Sequence, residues 1–151
     1  MQVSAGAEAL QLFDSWVGCL GPCDYEKYIL PYSKRVFDGL KNTGVPVINF
    51  STGTSTMLDL VQKAGGDVLS FDWRIQMDTA RALLGKDQPV QGNLDPASLI
   101  PDKSIFLEKN VLSILDIMKD NKFIFSVGHG LTPDCKINNV KKVIDIVKNY
   151  K

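Results

Sequence analysis

The sequence lacks the charge imbalance and the long apolar runs that would assign it to several large classes of protein. Its 17 basic and 17 acidic side chains cancel, so a surface that attracts polyanions is not expected, and nucleic acid is not an expected partner. No apolar run approaches the roughly 20 residues that span a bilayer, and the first residues lack the basic and apolar regions of a signal peptide. We therefore expect one cytoplasmic domain, residues 1–151, without membrane contact.

Cysteine and histidine are also scarce. The cysteines are Cys19, Cys23 and Cys135, an odd number without the spacing of a disulfide framework or a structural zinc site. Free thiols in a reducing compartment and no bound metal are therefore expected. The one histidine, His129, lies between two glycines, which allow a sharp turn and the close approach of a ligand. Because histidine titrates near neutrality, His129 is a candidate for proton transfer or carboxylate binding, although it could instead only hydrogen-bond within its turn.

What the chain does have is a repeated alternation of apolar, strand-like runs and amphipathic helices. Such alternation predicts an α/β fold with a parallel sheet covered by helices. Five strand–helix units are expected, and the predicted strands are 10–13, 45–50, 68–71, 89–92 and 123–127. A closed eight-stranded barrel takes about 250 residues. Five units in 151 residues therefore predict either an open five-stranded sheet or the later part of a barrel, entered in mid-fold.

The predicted helices carry their own start and stop signals. The first is expected from about Asp24, with a kink or a restart at Pro31 and an end near residues 42–44. Residues 56–59 have the spacing of a capping box, which predicts the start of the second helix. Two further helices are predicted over about 77–84 and 104–119. The final helix is predicted to bury Ile137, Val140, Val143, Ile144 and Val147.

Polar residues recur just past the C-terminal end of each predicted strand, at 14–15, 51–52, 72, 93–95 and 129. In parallel α/β folds active sites form at that edge of the sheet, so these loops are expected to share one site. Some of them also have structural interpretations. Asp72-Trp73-Arg74 is expected to form an ion pair with packing rather than a substrate contact, and Asn93 and Asp95 to satisfy backbone groups in their own turn. Residues 51–56 are expected to cap a helix rather than bind an anion.

Several of these segments together resemble the uroporphyrinogen decarboxylase family. The segments are Phe13-Asp14-Ser15-Trp16-Val17-Gly18, Leu30-Pro31-Tyr32, Asp72-Trp73-Arg74, Gln91-Gly92-Asn93-Leu94-Asp95-Pro96 and Gly128-His129-Gly130. The resemblance covers essentially the whole chain, but it corresponds only to the C-terminal part of that family's longer, single-domain TIM barrel.

The resemblance implies a fold, an activity and two site residues. The fold would be a partial TIM (β/α) barrel of about five βα units with a parallel sheet. The activity would be that of a carboxy-lyase acting on porphyrinogens, as a homodimer with no metal or organic cofactor. It would remove the acetate carboxyl groups of uroporphyrinogen III, giving coproporphyrinogen III in porphyrin and heme biosynthesis. Ser15 and His129 would contact the substrate. No catalytic residue is assigned, because the family's arginine-rich segment, its aspartate that grips the pyrrole N–H groups and a substrate-binding tyrosine match nothing in this chain.

Two other functions remain open. Cobalamin-dependent methyltransferases share the barrel but hold zinc with histidine and cysteine at the strand ends, and the corresponding residues here carry no such set. The chain could also be a non-catalytic fragment or one half of a split enzyme, because an incomplete parallel barrel has open strand edges. We accordingly expect the chain by itself to be inactive and to associate.

Overall fold

Five parallel strands form one sheet, in which each strand pairs with the strand before it in the chain. The computed structural model describes the backbone of residues 1–151 and the side chains of 1–101 and 105–151. The strands are β1 (Leu10–Asp14), β2 (Val47–Ser51), β3 (Val68–Phe71), β4 (Val90–Leu94) and β5 (Phe123–Val127). Their order in the sheet is β1-β2-β3-β4-β5. In this sequential order every crossover runs in the same direction, and because the crossovers have one hand, all the helices lie on the same face of the sheet. A doubly wound sheet differs, since it reverses its strand order and has helices on both faces.

Six α-helices follow the strands. They are α1 (Pro22–Asp24), α2 (Leu30–Leu40), α3 (Leu58–Ala64), α4 (Met77–Leu84), α5 (Leu107–Met118) and α6 (Ile137–Asn149). A π-helical segment, Tyr25–Ile29, joins α1 to α2, and Pro31 lies in the first turn of α2. The helical run is continuous through Pro31, so the kink or restart expected there takes the form of a π-helical segment that ends just before the proline, which has no N–H to donate.

The observed boundaries agree with the prediction for some elements and differ for others. The expected strands 68–71 and 123–127 and the helix 77–84 are confirmed. The predictions 45–50 and 89–92 start too early, because these strands begin at Val47 and Val90. Pro46 and Pro89 have no N–H to donate to the ladder, and only their carbonyls take part, accepting from the N–H groups of Leu10 and Leu69.

Three helix predictions are wrong. The first helix begins at Pro22 rather than near Asp24, after Gly21 in extended conformation. The capping box at 56–59 does not form, because α3 begins one residue later and its N-cap, Met57, makes no side-chain hydrogen bond. The fourth helix, expected from about 104, begins at Leu107, after a 3-10 segment, Pro101–Phe106.

The core lies between the helices and the outward face of the sheet. Leu69, Phe71 and Val90 pack there against α3 and α4, and Leu94 packs against α5 and α6. α6 presents a face rotated from the predicted one, because Ile146 and Tyr150 join Val140, Val143 and Val147 in the core while Ile137 and Ile144 are exposed.

The opposite face of the sheet, which we call the concave face, is not covered by helices. Gln91 Nε2 on β4 lies 3.4 Å from Gln11 Oε1 on β1, although β2 and β3 separate the two strands. In a flat sheet three strand spacings of about 4.8 Å would hold these strands about 14 Å apart. The sheet is therefore curled with its helices outside, and the five strands are an open arc of a barrel.

The arc has two free edges. Among the described strands, β1 pairs only with β2 and β5 pairs only with β4. Phe13 and Ile124 lie on the concave face beside these edges, with 65% and 45% of their surfaces exposed. No helix in the part of the chain that the structure describes is long and apolar enough to cross a membrane.

Candidate functional site

The C-terminal ends of the strands surround a cavity of about 520 Å³ on the concave face. Ser15, just after β1, and His129, just after β5, both line this cavity, so the structure brings the two predicted site residues to one concave surface. The other lining residues are Gln11, Phe13, Phe50, Ser70, Gln91, Ser126, Val127 and Gly130. Among these lining residues there is no lysine, arginine or carboxylate, so the cavity offers hydroxyl, amide and imidazole groups to a ligand.

His129 is held by its ring neighbours and by its own loop. Its Nδ1 accepts a hydrogen bond of 2.7 Å from the Gly130 N–H, and the side chain is otherwise exposed. The ring lies edge-on to Phe50 and Trp73, at centroid distances of 6.3 and 6.4 Å. Because Nδ1 is an acceptor, the ring hydrogen of the neutral imidazole lies on Nε2, which has no partner among the described residues and can bind a ligand.

Gly128 sets the position of this loop by close backbone packing. A Cβ on Gly128 would lie 2.7 Å from the backbone nitrogen of Trp73, too close for any side chain. The Gly128 N–H donates to the Leu94 carbonyl at 2.8 Å, which continues the β4–β5 pairing into the loop. The glycine before His129 is therefore required by the approach of the β3 loop.

Ser15 lies in a loop that is fixed to the end of β2. Its carbonyl accepts a hydrogen bond of 2.7 Å from Thr52 Oγ1, and its half-buried hydroxyl has no partner among the described residues. Asp14 Oδ1 accepts from the Val17 N–H at 3.1 Å and closes the turn that follows. The Ser15 hydroxyl is thus free to bond a ligand, while its backbone holds the loop.

Tyr25 is packed behind this loop. It is almost fully buried, and burial, reinforced by the negative charge of Asp14, raises the pKa of its hydroxyl from 10.0 to about 12. Tyr25 belongs to the same buried apolar cluster as Val17, just after this loop, and its hydroxyl stays protonated at physiological pH.

The segment Asp72-Trp73-Arg74 forms the ion pair and the packing that were expected. Asp72 is buried and accepts from the backbone N–H groups of Gly53, at 2.8 Å, and Arg74, at 3.0 Å. It also pairs with the Arg74 guanidinium, which lies 4.4 Å from the centre of the Trp73 ring. Asp72 ties the β2 loop to the β3 loop, and none of the three residues lines the cavity.

Asn93, within β4, and Asp95, just after it, also satisfy backbone groups. Asp95 Oδ1 accepts from the Ala97 N–H at 2.8 Å and caps a 3-10 turn, as expected. Asn93 does not bond within its own turn, because its Nδ2 reaches the carbonyls of Asp72 and Ile75 in the neighbouring loop, at 3.1 and 2.7 Å. Asn93 thus links β4 to the end of β3.

The hydroxyl-rich loop 51–56 has a different role from the predicted helix cap. Ser51 Oγ and Thr54 Oγ1 bond each other at 3.0 Å, and Thr52 bonds the Ser15 carbonyl. The Thr52 hydroxyl therefore joins the first two strand-end loops, the Ser51–Thr54 bond closes the second loop on itself, and α3 starts without a side-chain cap.

Seven cavity residues lie within the strands, and none of them was assigned to the site from the sequence: Gln11, Phe13, Phe50, Ser70, Gln91, Ser126 and Val127. A parallel strand buried on both faces gives no polar–apolar alternation by which to assign a face. The sequence did carry one signal for the face of β1. Because side chains alternate along a strand, Gln11 and Phe13, which precede Ser15 by four and two residues, are expected on the same face as Ser15. Among the described side chains no group of three His, Cys, Asp or Glu could hold a metal.

A curled, sequentially wound parallel sheet with its polar loops at the carboxyl ends of the strands defines this chain as part of an α/β barrel. A solved methyltransferase from Methanosarcina mazei is similar to it, with a TM-score of 0.84 and 16% identity over 98% of this chain and 44% of that one. At that identity the similarity shows the fold alone.

The sequence comparisons are more specific. The model of the uroporphyrinogen decarboxylase (URO-D) family matches residues 1–150, and the chain belongs to that family. Uroporphyrinogen decarboxylase from Carboxydothermus hydrogenoformans is 47% identical over 97% of this chain and 42% of its own length. The enzyme from Trichlorobacter lovleyi is 45% identical over 97% of this chain and 43% of its length. The chain thus spans less than half the length of the curated relatives it matches.

Proposed function

We propose that this chain is the C-terminal portion of a uroporphyrinogen decarboxylase barrel. Completed by the remaining strands, it acts as a carboxy-lyase that converts uroporphyrinogen III to coproporphyrinogen III in porphyrin and heme biosynthesis. The observation that carries the proposal is the family match over residues 1–150 together with one cavity lined by Ser15 and His129. The same family resemblance supports a cytoplasmic homodimer that uses no cofactor.

The residue types in the cavity suit a substrate rich in carboxylates. With Nδ1 accepting from the Gly130 N–H, the Nε2–H of His129 can donate to a carboxylate, and Ser15 can donate one hydrogen bond. Both act as substrate-binding residues in this proposal.

Decarboxylation of a pyrrole acetate begins with protonation of the ring, which then accepts the electron pair of the breaking C–C bond as CO₂ leaves. A proton then adds to the exocyclic methylene carbon to give the methyl group, and the proton first taken up by the ring leaves, which restores the pyrrole. The cationic ring needs a carboxylate in the cavity. Among the residues lining the described cavity there is none, so that group is assigned to the remainder of the barrel. This chain then orients the substrate, and the other part supplies the charge that stabilises the protonated pyrrole.

A chimera tests the proposal. The portion of the Carboxydothermus relative that precedes the matched region is joined to this chain, and uroporphyrinogen III is assayed anaerobically. We expect conversion to coproporphyrinogen III by the chimera and none by the chain alone, with the intact relative as the positive control. A folded chimera, verified by circular dichroism and cooperative unfolding, that leaves uroporphyrinogen unchanged would contradict the proposal.

A further inference from the structure

The floor of the cavity holds a pair of amide side chains that the binding roles of Ser15 and His129 do not use. Gln91 Nε2 donates to Ser70 Oγ at 3.0 Å and to Gln11 Oε1 at 3.4 Å. Gln11 precedes Ser15 by four residues, so the alternation along β1 places its side chain on the same face, deeper in the cavity. Both glutamines are half-buried and line the cavity.

These bonds fix which groups remain available to a ligand. Of the two hydrogens of the Gln91 amide, one is accepted by Ser70 Oγ and the other by the Gln11 carbonyl oxygen. The two N–H groups of Gln11 have no partner among the described residues. These donors face the open cavity, where water can bond them, so a ligand that displaces this water has to supply an acceptor in its place.

The surroundings limit what that acceptor can be. The neighbouring side chains at this level are Phe13, Phe50 and Ser70, which carry no formal charge. An anionic oxygen bonds to N–H donors more strongly than a neutral one, and no lining carboxylate competes for the Gln11 hydrogens. A carboxylate that reaches the floor from above would therefore find two donors in a fixed position.

We propose that Gln11 is a further substrate-binding residue, which donates to an acetate carboxylate of the substrate and is held in position by Gln91 and Ser70. The inference rests on the proposed function and deepens it. Because the Gln11 amide is neutral, it gives a hydrogen bond without the strength of an ion pair. That bond is lost when CO₂ leaves and a methyl group remains. Gln11 then favours rings that still carry acetate over rings that have already reacted.

The test compares substrate and product in the active chimera. Gln11→Leu keeps the length of the side chain and removes both donors. We expect KM for uroporphyrinogen III to rise about tenfold, the effect of roughly one lost hydrogen bond, while the Kd of coproporphyrinogen III stays unchanged. Gln91→Leu should raise KM in the same direction by less, because it frees Gln11 without removing it. Gln76→Leu is the matched control, since Gln76 is exposed and lies outside the cavity.

A second variant covers the case in which Gln11→Leu does not fold. Gln11→Glu keeps an acceptor for the Gln91 amide but repels a carboxylate, so it should raise KM more than Gln11→Leu. Unchanged KM in the variants, or equal weakening of uroporphyrinogen and coproporphyrinogen, would overturn the inference and leave Gln11 a packing residue. A parent chimera without decarboxylase activity would instead contradict the proposed function itself.

Discussion

His129 shows how a single side chain can be fixed and still remain available. Its Nδ1 is used by the Gly130 N–H, and its ring edges meet Phe50 and Trp73, but Nε2 carries no structural bond among the described residues. The ring contributes little to the buried core, since the side chain is exposed. The fixed orientation of the ring therefore favours ligand binding through Nε2 and contributes little to the stability of the fold.

Substitution of His129 should accordingly separate turnover from stability. In the active chimera, His129→Asn is expected to lower kcat/KM about 10- to 100-fold, the effect of one lost charge-assisted hydrogen bond of about 1.5–3 kcal/mol. The unfolding midpoint should stay close to that of the parent. Ser15→Ala should have the smaller effect, tenfold or less by the same measure, because it removes one neutral donor and leaves the carbonyl that Thr52 uses. Normal activity of the His129 variant would make the histidine a turn residue only.

Tyr25 gives a stability prediction at high pH. Its pKa is raised by burial, and further by Asp14, to about 12, against 10.0 in the unfolded chain. Above pH 10 the unfolded state therefore loses this proton before the folded state does, so the free energy of unfolding should fall as pH rises from about 10 to 12. Urea midpoints at pH 8 to 12 measure the effect. Tyr25→Phe should flatten the decline, whereas Tyr28→Phe, at an exposed ring, should not. Identical pH profiles of the two variants would refute this assignment.

At the scale of elements, the site is a set of loops locked to one another by backbone contacts. Thr52 bonds the Ser15 carbonyl, Asp72 bonds the Gly53 N–H, and Asn93 bonds the Asp72 carbonyl. Each loop is thus tied to the next around the arc. Because each loop contacts the next, a shift in one loop moves its neighbour. The contacts therefore hold the strand-end side chains around one cavity.

The two glycines beside His129 test that coupling as a matched pair. A Cβ at position 128 would meet the Trp73 nitrogen at 2.7 Å and the Asp72 Cα at 3.0 Å, whereas at Gly130 nothing lies within 4 Å. Gly128→Ala should therefore destabilise the chain by about 1–3 kcal/mol, the usual effect of overpacking, and Gly130→Ala should change stability by less than about 0.5 kcal/mol. Urea unfolding of the two variants decides. Equal stabilities would show that the β3 and β5 loops are not in contact.

The elements also show which sequence signals are reliable. Short apolar runs such as 68–71 and 123–127 define their strands, because Asp67, Asp72 and Gly128 bound them sharply. The capping box at 56–59 misleads because the start of α3 is set by the preceding loop, whose hydroxyls bond Ser15 and one another. Tertiary contacts take precedence there over local spacing.

Residues of the site could be predicted where they stand in loops and not where they stand in strands. Ser15 and His129 come just after apolar strands, so their polar side chains stand out in the sequence. The structure brings both into one cavity. Gln11 lies inside an apolar run, where a single polar residue does not by itself indicate a functional role. Its contact with Gln91, 80 residues away in sequence, depends on the curl of the sheet, which no local pattern encodes.

At the scale of the whole molecule, the curled sheet presents surface that a closed barrel would bury. β1 and β5 each offer unpaired backbone N–H and C=O groups on one side, and exposed parallel edges of this kind pair readily with other strands. Beside them Phe13 and Ile124 expose apolar side chains on the concave face. In the proposed enzyme the remaining strands of the barrel would cover both features.

The isolated chain is therefore expected to self-associate. Sedimentation velocity over a range of concentrations should show dimers or larger species, because strand edges and apolar surface are removed from water on contact. Ile124→Lys places a charge on the concave face and should shift the distribution toward monomer. Leu83→Lys is the control, since Leu83 is comparably exposed, at 54%, but lies on α4, outside the concave face. Association that both substitutions weaken equally would point to the helical surface, and a strictly monomeric chain would mean that the open edges are protected in solution.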